Sequence, residues 1–462
     1  MAGARPRIVA LVSLGCPKNL VDSERMLAGL ALAGFAVSGD PDGADVAVVN
    51  TCAFIDLARA EADKAIAELE RLKRAGRLGR IIVAGCMAQR EGKALLERHP
   101  GVDGVAGLAQ RDRLADLCRS LLEKRSAGAV VRVEPCPASA PDDRERLRLT
   151  PRHYAYLRIT EGCDNRCSYC AIPEIRGPLR SKPPDAVLAE AGELTADGAR
   201  ELVLVGQDTT AYGRDRAGAG WTLARVLARL RAEAGAEWIR LMYTHPASFG
   251  EDVIEELARG LPVAPYVDLP IQHASDRILE SMGRRVTRAD IERLVGRLRE
   301  AVAGIALRTT FIVGYPGETE AEFEACVHLA RKVRFDHAGV FMYSPESGTR
   351  AAALPDPVPT EVRRERWERL MGVCEEIAQE SARGMVGRTL EVRVDGAARE
   401  AGYLAARHAG QAPEVDSAVL VKRQGSARRA KAGDELTVRV TTAKGYDIAA
   451  EAIGPGRGDA RP

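Results

Sequence analysis

The stretch that decides the architecture is "YAYLRITEGCDNRCSYC", residues 154–170. It begins as a short apolar strand pattern and passes directly into a polar loop holding Cys163, Cys167 and Cys170. The spacing is C-x3-C-x2-C. Thiolates are soft ligands that select zinc, copper(I) or iron–sulfur clusters. Three is one short of the four ligands that a structural zinc or a fully ligated four-iron cluster takes. The residues leave two readings. One is a zinc knuckle with a fourth ligand elsewhere. The other is a four-iron cluster with one iron left open to a small molecule.

Outward from this loop the strand pattern repeats. After "YAYLRIT" (154–160) come "ELVLVGQ" (201–207), "WIRLMYTH" (238–245), "YVDLPIQH" (266–273), "ALRTTFIVG" (306–314) and "HAGVFMYS" (337–344). Amphipathic helical stretches such as "ADIERLVGRLREAVAG" (289–304) separate them. Alternating strands and helices imply a parallel sheet covered by helices. Six units over 151–383 predict an open, partial version of the parallel β/α barrel, whose chemistry collects at the carboxyl ends of its strands. Those ends read "VGQDTTAYG", "YTHP", "PIQHASD", "FIVGYPGET" and "MYSPESGT", polar, aromatic or glycine-rich where a core strand needs nothing of the kind. Gln207, Asp208 and His273 stand there as candidate ligand contacts. Gly314 and Gly317 would let backbone N–H groups approach a polar ligand.

This pattern resembles the radical S-adenosylmethionine (SAM) superfamily, whose signature is C-x3-C-x2-C after the first barrel strand, commonly with an aromatic before the last cysteine. Tyr169 holds that place. The resemblance implies a 4Fe–4S cluster on Cys163, Cys167 and Cys170, with SAM bound to the open iron and cleaved to a 5′-deoxyadenosyl radical. It also places Gly314 and Gly317 beside the SAM adenosine.

The N-terminal segment, 1–125, is a second α/β unit. "RIVALVSLG" (7–15), "VAVVN" (46–50) and "RIIVAG" (80–85) read as parallel strands separated by helices. Cys16, Cys52 and Cys86 each sit just past one of these runs, 36 and 34 positions apart. Strand ends of a parallel sheet share one edge, so these three can converge. Residues 126–150, rich in Pro, Ala and charge, read as a linker with at most a short strand. Residues 384–455 alternate apolar and polar with Gly-bearing turns, a small antiparallel β-barrel pattern. The tail, 456–462, is expected to be disordered.

Two three-cysteine sets in one α/β chain resemble the methylthiotransferases, a branch of the radical SAM enzymes. Their order is a cysteine-bearing N-terminal domain, a radical SAM barrel and a small C-terminal domain called TRAM. "SLGCPKNLVDSE", "NTCAFI", "GCMAQR", "EGCDNRCSYCAIPEIRGPLRS", "PIQHASDRILESMGRR" and "VGYPGETEAEF" fall in the family's order. The resemblance implies two 4Fe–4S clusters, the second on Cys16, Cys52 and Cys86 carrying the sulfur to be transferred. It also implies an electron donor such as flavodoxin or ferredoxin.

One branch of that family modifies adenosine in transfer RNA. The other modifies the β-carbon of an aspartate in ribosomal protein S-twelve, free or within the small subunit. "CPKNLVDSE" favours the second, because the tRNA branch typically has Gln-Met at the positions of Pro17 and Lys18. "GQAPEVDS" (410–417) is similar to a "DAPEID" stretch of the second branch, with Gln411 in place of the first acid. From 384 to 454 eleven basic residues face nine acidic ones, and the whole chain carries +2 in 462 residues. Neither balance is that of a dedicated RNA binder, whose affinity rests on phosphate contacts. Glu414 and Asp416 are candidates to meet the basic S-twelve protein. "VKRQGSARRAK" (421–431) is either a ribosomal RNA contact or a solvated turn. No apolar run is long enough to span a membrane, and the N-terminus lacks a signal-peptide cleavage site. A cytoplasmic monomer is expected, in which ten cysteines serve metal chemistry or packing rather than disulfides. Cys118, Cys326 and Cys374, in helical patterns, read as structural.

Overall fold

The computed structural model describes residues 5–53, 55–123 and 128–456; the tail expected to be disordered lies outside them except for Gly456. The first sheet has six strands, β1 (Ile8–Ser13), β2 (Ala36–Ser38), β3 (Val46–Thr51), β4 (Arg80–Gly85), β5 (Gly104–Ala106) and β6 (Val130–Arg132). They lie in the order β2-β1-β3-β4-β5-β6, every pair parallel. Every residue of β3 is buried, because helices cover both faces. Helix Asp56–Arg74 covers one face with Ala62, Ile66 and Leu69, spaced as one stripe of a helix requires. The short strand expected in the linker is β6, and it belongs to this first sheet.

The second sheet carries β7 (Tyr154–Arg158), β10 (Glu201–Val205), β11 (Trp238–Leu241), β12 (Val263–Asp268), β13 (Ala306–Val313) and β14 (His337–Met342). The order is β14-β13-β12-β11-β10-β7, again all parallel. These are the six strands expected, and the open barrel they form is the partial one. A two-residue ribbon, β8 (Thr160–Glu161) with β9 (Arg180–Ser181), lies beside it. Apolar side chains on the outer face of the sheet pack against the helices. Tyr154, Tyr156, Val203, Val205, Met242 and Tyr266 fill the concave face together with Val21 of the N-terminal helix Pro17–Leu32 and Ala412 of the C-terminal domain. Both flanking domains therefore reach into the barrel.

Helix Thr360–Met385 leads to the last domain. Its strands are β15 (Thr389–Ala397), β16 (Tyr403–Arg407), β17 (Val419–Lys422), β18 (Glu435–Lys444) and β19 (Asp447–Pro455), closed as β15-β16-β17-β19-β18. The barrel is antiparallel except where β17 meets β19. Its loop 408–417 plugs the amino ends of the large barrel. Tyr154 and Tyr156 each donate a hydroxyl to Glu414 at 2.8 Å. Tyr266 donates to Asp416 at 2.8 Å, and Arg308 pairs with Asp416 at 2.5 Å. The expected docking role of Asp416 is thereby corrected, because its side chain is fully buried and paired inside the protein. Glu414 stays exposed while it accepts the two tyrosine hydroxyls.

The linker is no loose strap either. Asp143 is completely buried and is bonded to Arg111 of the first domain, Arg158 of β7 and Lys182 after β9. A buried charge persists only when paired and hydrogen-bonded, and this one is paired three times across two domains. Cys118, Cys326 and Cys374 are buried among apolar side chains. No helix among the described residues is long and apolar enough to cross a membrane.

Candidate active site

The compact cysteine loop hangs between the strands of the two-residue ribbon, which pins both its ends. Gly162 opens it with φ of 75°, where a Cβ would fall 2.0 Å from the carbonyl oxygen of Pro178. Only glycine tolerates that backbone and that approach. Inside the loop, the Cys163 amide donates to Gly177 O at 3.1 Å and the Cys170 amide to Cys167 O at 3.2 Å. Leu179 N donates to Asp164 at 2.9 Å, and Ser168 is held by Met282 O at 2.9 Å and the Tyr315 hydroxyl at 2.7 Å. The loop is thus a fixed template for its three thiols.

The dispersed cysteines sit where the strand pattern puts them. Cys16 caps helix Pro17–Leu32 after β1, Cys52 follows β3, and Cys86 begins helix Cys86–Glu91 after β4. The three strands are neighbours in the sheet. Gly15 (φ 93°) lets the Cys16 turn touch the Cys52 turn, since a Cβ there would meet Cys52 Cβ at 2.6 Å. Two asparagines latch these turns. Asn19 Nδ2 donates to Leu14 O at 2.6 Å, and Asn50 Nδ2 donates to Asn19 O at 2.9 Å.

Both triads open into one cavity of about 320 Å³. All six cysteines line it, with Lys18, Asn165, Tyr169, Arg176, Gln207, Tyr243, His245 and Arg284 among the other walls. It lies at the carboxyl ends of both sheets, opposite the plugged end of the barrel. Arg176 lines the cavity beside Cys16 and Cys86. It is fully buried and donates to Glu161 at 2.8 Å and to Asp22 at 3.1 Å. Arg158, also buried, pairs with Asp22, Glu161 and Asp143 at 2.6–2.9 Å. On the outer side, Glu346 after β14 is bonded to Arg90 at 2.9 Å and to Arg59 of the N-terminal domain. The cavity is therefore a rigid seam between two domains.

The electrostatics suit thiols that exchange a proton for iron. Burial pushes Cys163 up to about 11, and Cys86 and Cys170 up to about 12, Arg176 opposing the rise at Cys86. For Cys16 burial acts the same way, but Lys18 and Arg176 outweigh it and bring the thiol below its ordinary value. Metal binding releases such protons and needs the thiolate. Among the described residues no three Cys, His, Asp or Glu side chains converge tightly enough for a single metal ion. Thiols spread around a cavity suit a multi-iron cluster instead, and the buried Gln207 Oε1, without a partner, faces the same space. The donor set fits two clusters, each with three thiolates and one iron left for another ligand.

The other residues singled out in the sequence divide. Tyr169 and Gln207 line the cavity. Asp208 does not; its carboxylate caps the turn after β10 through Thr210 and Ala211 and accepts a bond from Asn165 at 2.6 Å. His273 is fully buried behind the wall, accepting from Ser275 N at 3.0 Å through Nδ1 and facing Glu318 at 3.2 Å through Nε2. Gly314 N donates to Glu318 and Gly317 N to Asp356 O, so these two amides are engaged inside the protein rather than free for a ligand. Sequence reasoning missed Lys18, Arg176, Tyr243 and Arg284. All four lie inside stretches quoted for their cysteines or strand ends, but which way each side chain points depends on the docking of two domains.

Comparisons with known proteins agree with this geometry. Residues 8–107 match the model of an uncharacterized protein family, UPF0004, residues 157–330 the radical SAM superfamily, and residues 386–453 the TRAM domain. The ribosomal protein uS12 methylthiotransferase RimO of Desulfitobacterium hafniense is 39% identical over 96% of this chain and 98% of its own. The protein of the same name from Anaeromyxobacter sp. (strain Fw109-5) is 44% identical over 96% and 93%. Among solved structures, the radical SAM methyltransferase TsrM from Kitasatospora setae, with cobalamin and a 4Fe–4S cluster bound, aligns with a TM-score of 0.53. It is 19% identical over 75% of this chain and 77% of that one, a likeness of fold.

Proposed function

Because the chain belongs to the RimO family of ribosomal protein uS12 methylthiotransferases, we propose that it attaches a methylthio group to the β-carbon of an aspartate of uS12, within the cavity shared by its two cysteine triads. It is a radical SAM transferase with two 4Fe–4S clusters and SAM as cofactors, and its substrate is the ribosomal protein rather than transfer RNA adenosine. The observation that carries the reading is the single cavity lined by all six cysteines. A radical centre and a sulfur source must act on one carbon in turn, and proximity is what an enclosed site supplies.

In this reading Cys163, Cys167 and Cys170 hold the cluster that binds SAM, and Cys16, Cys52 and Cys86 hold the sulfur-carrying one. When bound, the cofactors supply the electron, the radical, the methyl group and the sulfur. The chain's own residues bind, orient and exclude water. Tyr169 and Gln207 wall the SAM side. Arg176, fixed in place by Glu161 and Asp22, offsets thiolate charge at Cys16 and Cys86, and Arg284 does so at Cys167 and Cys170. A flavodoxin or ferredoxin serves as reductant, and the enzyme works as a cytoplasmic monomer. The test is mass spectrometry of uS12 incubated with reconstituted, reduced enzyme, SAM and sulfide. The expected product carries one methylthio group on an aspartate. An unmodified uS12 beside a modified tRNA adenosine would overturn the reading.

A further inference from the structure

Of the basic side chains of the cavity wall other than Lys18, two are cations with partners and the third is neutral. Arg176 is paired with Glu161 and Asp22. Arg284 donates to Pro270 O and lies 3.9 Å from Cys167 Sγ. His245 is kept neutral, burial and nearby arginines lowering it to about 2, while its Nδ1 accepts the Ala247 amide at 3.2 Å. Lys18 differs. It is 7% exposed, lines the cavity, and rests its ammonium 3.3 Å above the centre of the Tyr243 ring. Among the described residues no carboxylate lies within ion-pairing distance of it; its electrostatic neighbours are Tyr243, Cys16 and Arg176. The carboxylate that feels its charge, Asp268, accepts the Tyr243 amide at 3.0 Å and faces Arg308 at 3.7 Å.

A buried cation whose acidic neighbours are a thiol and a phenol rather than a carboxylate is costly. Here the ring face of Tyr243 supports it partly, and the cavity leaves its ammonium open to an incoming group. We propose that Lys18 is the specificity-determining residue of the site, binding the side-chain carboxylate of the uS12 aspartate. This inference rests on the reading above. A carboxylate held at Lys18 leaves the β-carbon one bond away, so a single contact sets the position of the reacting carbon. The neighbouring Cys16 places that contact at the triad read as sulfur-carrying. SAM also bears a carboxylate, but Lys18 belongs to the N-terminal domain and neighbours Cys16 rather than the compact loop.

The test compares parent enzyme, Lys18→Met and Lys18→Arg, all reconstituted, on uS12 carrying its target aspartate and on uS12 with asparagine there. Lys18→Met is expected to lose on the order of 100-fold in kcat/KM on the aspartate form, mostly through KM. On the asparagine form the loss is much smaller, so the preference for aspartate collapses. Lys18→Arg restores part of that preference. Binding of uS12 measured without reductant, where nothing turns over, weakens in parallel. Equal losses on both forms would overturn the proposal. So would a loss traced to weaker SAM binding, which gives the lysine to SAM, or to an altered electron paramagnetic resonance spectrum of the cluster on Cys16, which makes it a cluster counter-ion. Absence of methylthiolated uS12 from the parent itself would instead bring down the reading on which the proposal rests.

Discussion

Arg176, six residues past the compact cysteine loop, donates a guanidinium nitrogen to Asp22 of the N-terminal helix at 3.1 Å, while its other end-nitrogen holds Glu161 at 2.8 Å. One side chain thus ties the N-terminal domain to the base of the compact cysteine loop. All three groups are buried. Breaking a buried ion pair from one side leaves uncompensated charge and costs about 3–5 kcal/mol. Arg176→Met is therefore expected to lower stability by that order in chemical denaturation, and to bind less iron after reconstitution. Arg176→Lys should rescue little, because one ammonium cannot reproduce a planar fork that serves two carboxylates. A wild-type unfolding midpoint for Arg176→Met would show that the seam holds without this tie.

The division of labour proposed for the triads predicts different failures. Cys163→Ala, Cys167→Ala or Cys170→Ala should abolish SAM cleavage. Cys16→Ala, Cys52→Ala or Cys86→Ala should retain some SAM cleavage and lose methylthiolation. Each set should lower iron content by about one cluster of the two. These are read as 5′-deoxyadenosine, methylthiolated uS12 and bound iron from the same preparations. Catalytic methylthio product from the triple variant of Cys16, Cys52 and Cys86 would refute the sulfur-carrying assignment.

The parallel sheets were legible because their strands are buried on both faces and read as continuous apolar runs, as in "ELVLV" and "VAVVN". The cysteines were legible because each marks the carboxyl end of such a run. What escaped depends on contacts between distant segments. Tyr266 meets Asp416 across 150 residues and Arg158 meets Asp143 across a domain boundary, and no local pattern announces either. Within the C-terminal barrel, "YLAAR" of β16 is the faintest strand, because five residues with two alanines carry little strand signal. Asp208 looked like a ligand from its position after β10, yet a capping aspartate at a strand end has the same sequence signature.

The plugged amino end of the large barrel makes the C-terminal domain part of its support. Asp416 accepts from Tyr266, Arg308 and the Ala412 amide, and its side chain is fully buried. Asp416→Ala leaves Arg308 without its principal partner and should cost about 3 kcal/mol. Hydrogen exchange would show faster opening of loop 408–417 and of the amino ends of β12 and β13. Asp416→Asn keeps one acceptor oxygen, enough for Tyr266 and the Ala412 amide but not for Arg308 as well, and should recover only part of the loss. Exchange confined to β15–β19, with the large barrel unmoved, would mean that the plug supports only its own domain.

Acid should loosen this same junction through His408. Burial comes first, and the charges of His337 and Arg240 add to it, bringing His408 from 6.5 down to about 4. The geometry agrees, because His408 Nδ1 accepts the Gly410 amide at 3.0 Å and has no room for a proton there. A folded-state value below the unfolded one means that the unfolded chain takes up the proton first. The contribution to stability is complete above about pH 6.5 and falls as pH drops toward 4. Down to about pH 4.5 the loss amounts to about 2 kcal/mol. His408→Asn offers its own oxygen to Gly410 N and cannot titrate. Denaturation midpoints for the two proteins should therefore converge as pH falls, whatever their difference at pH 7. Parallel pH profiles would mean that His408 takes up its proton in the folded state as readily as in the unfolded chain, and that acid acts on the junction through another group.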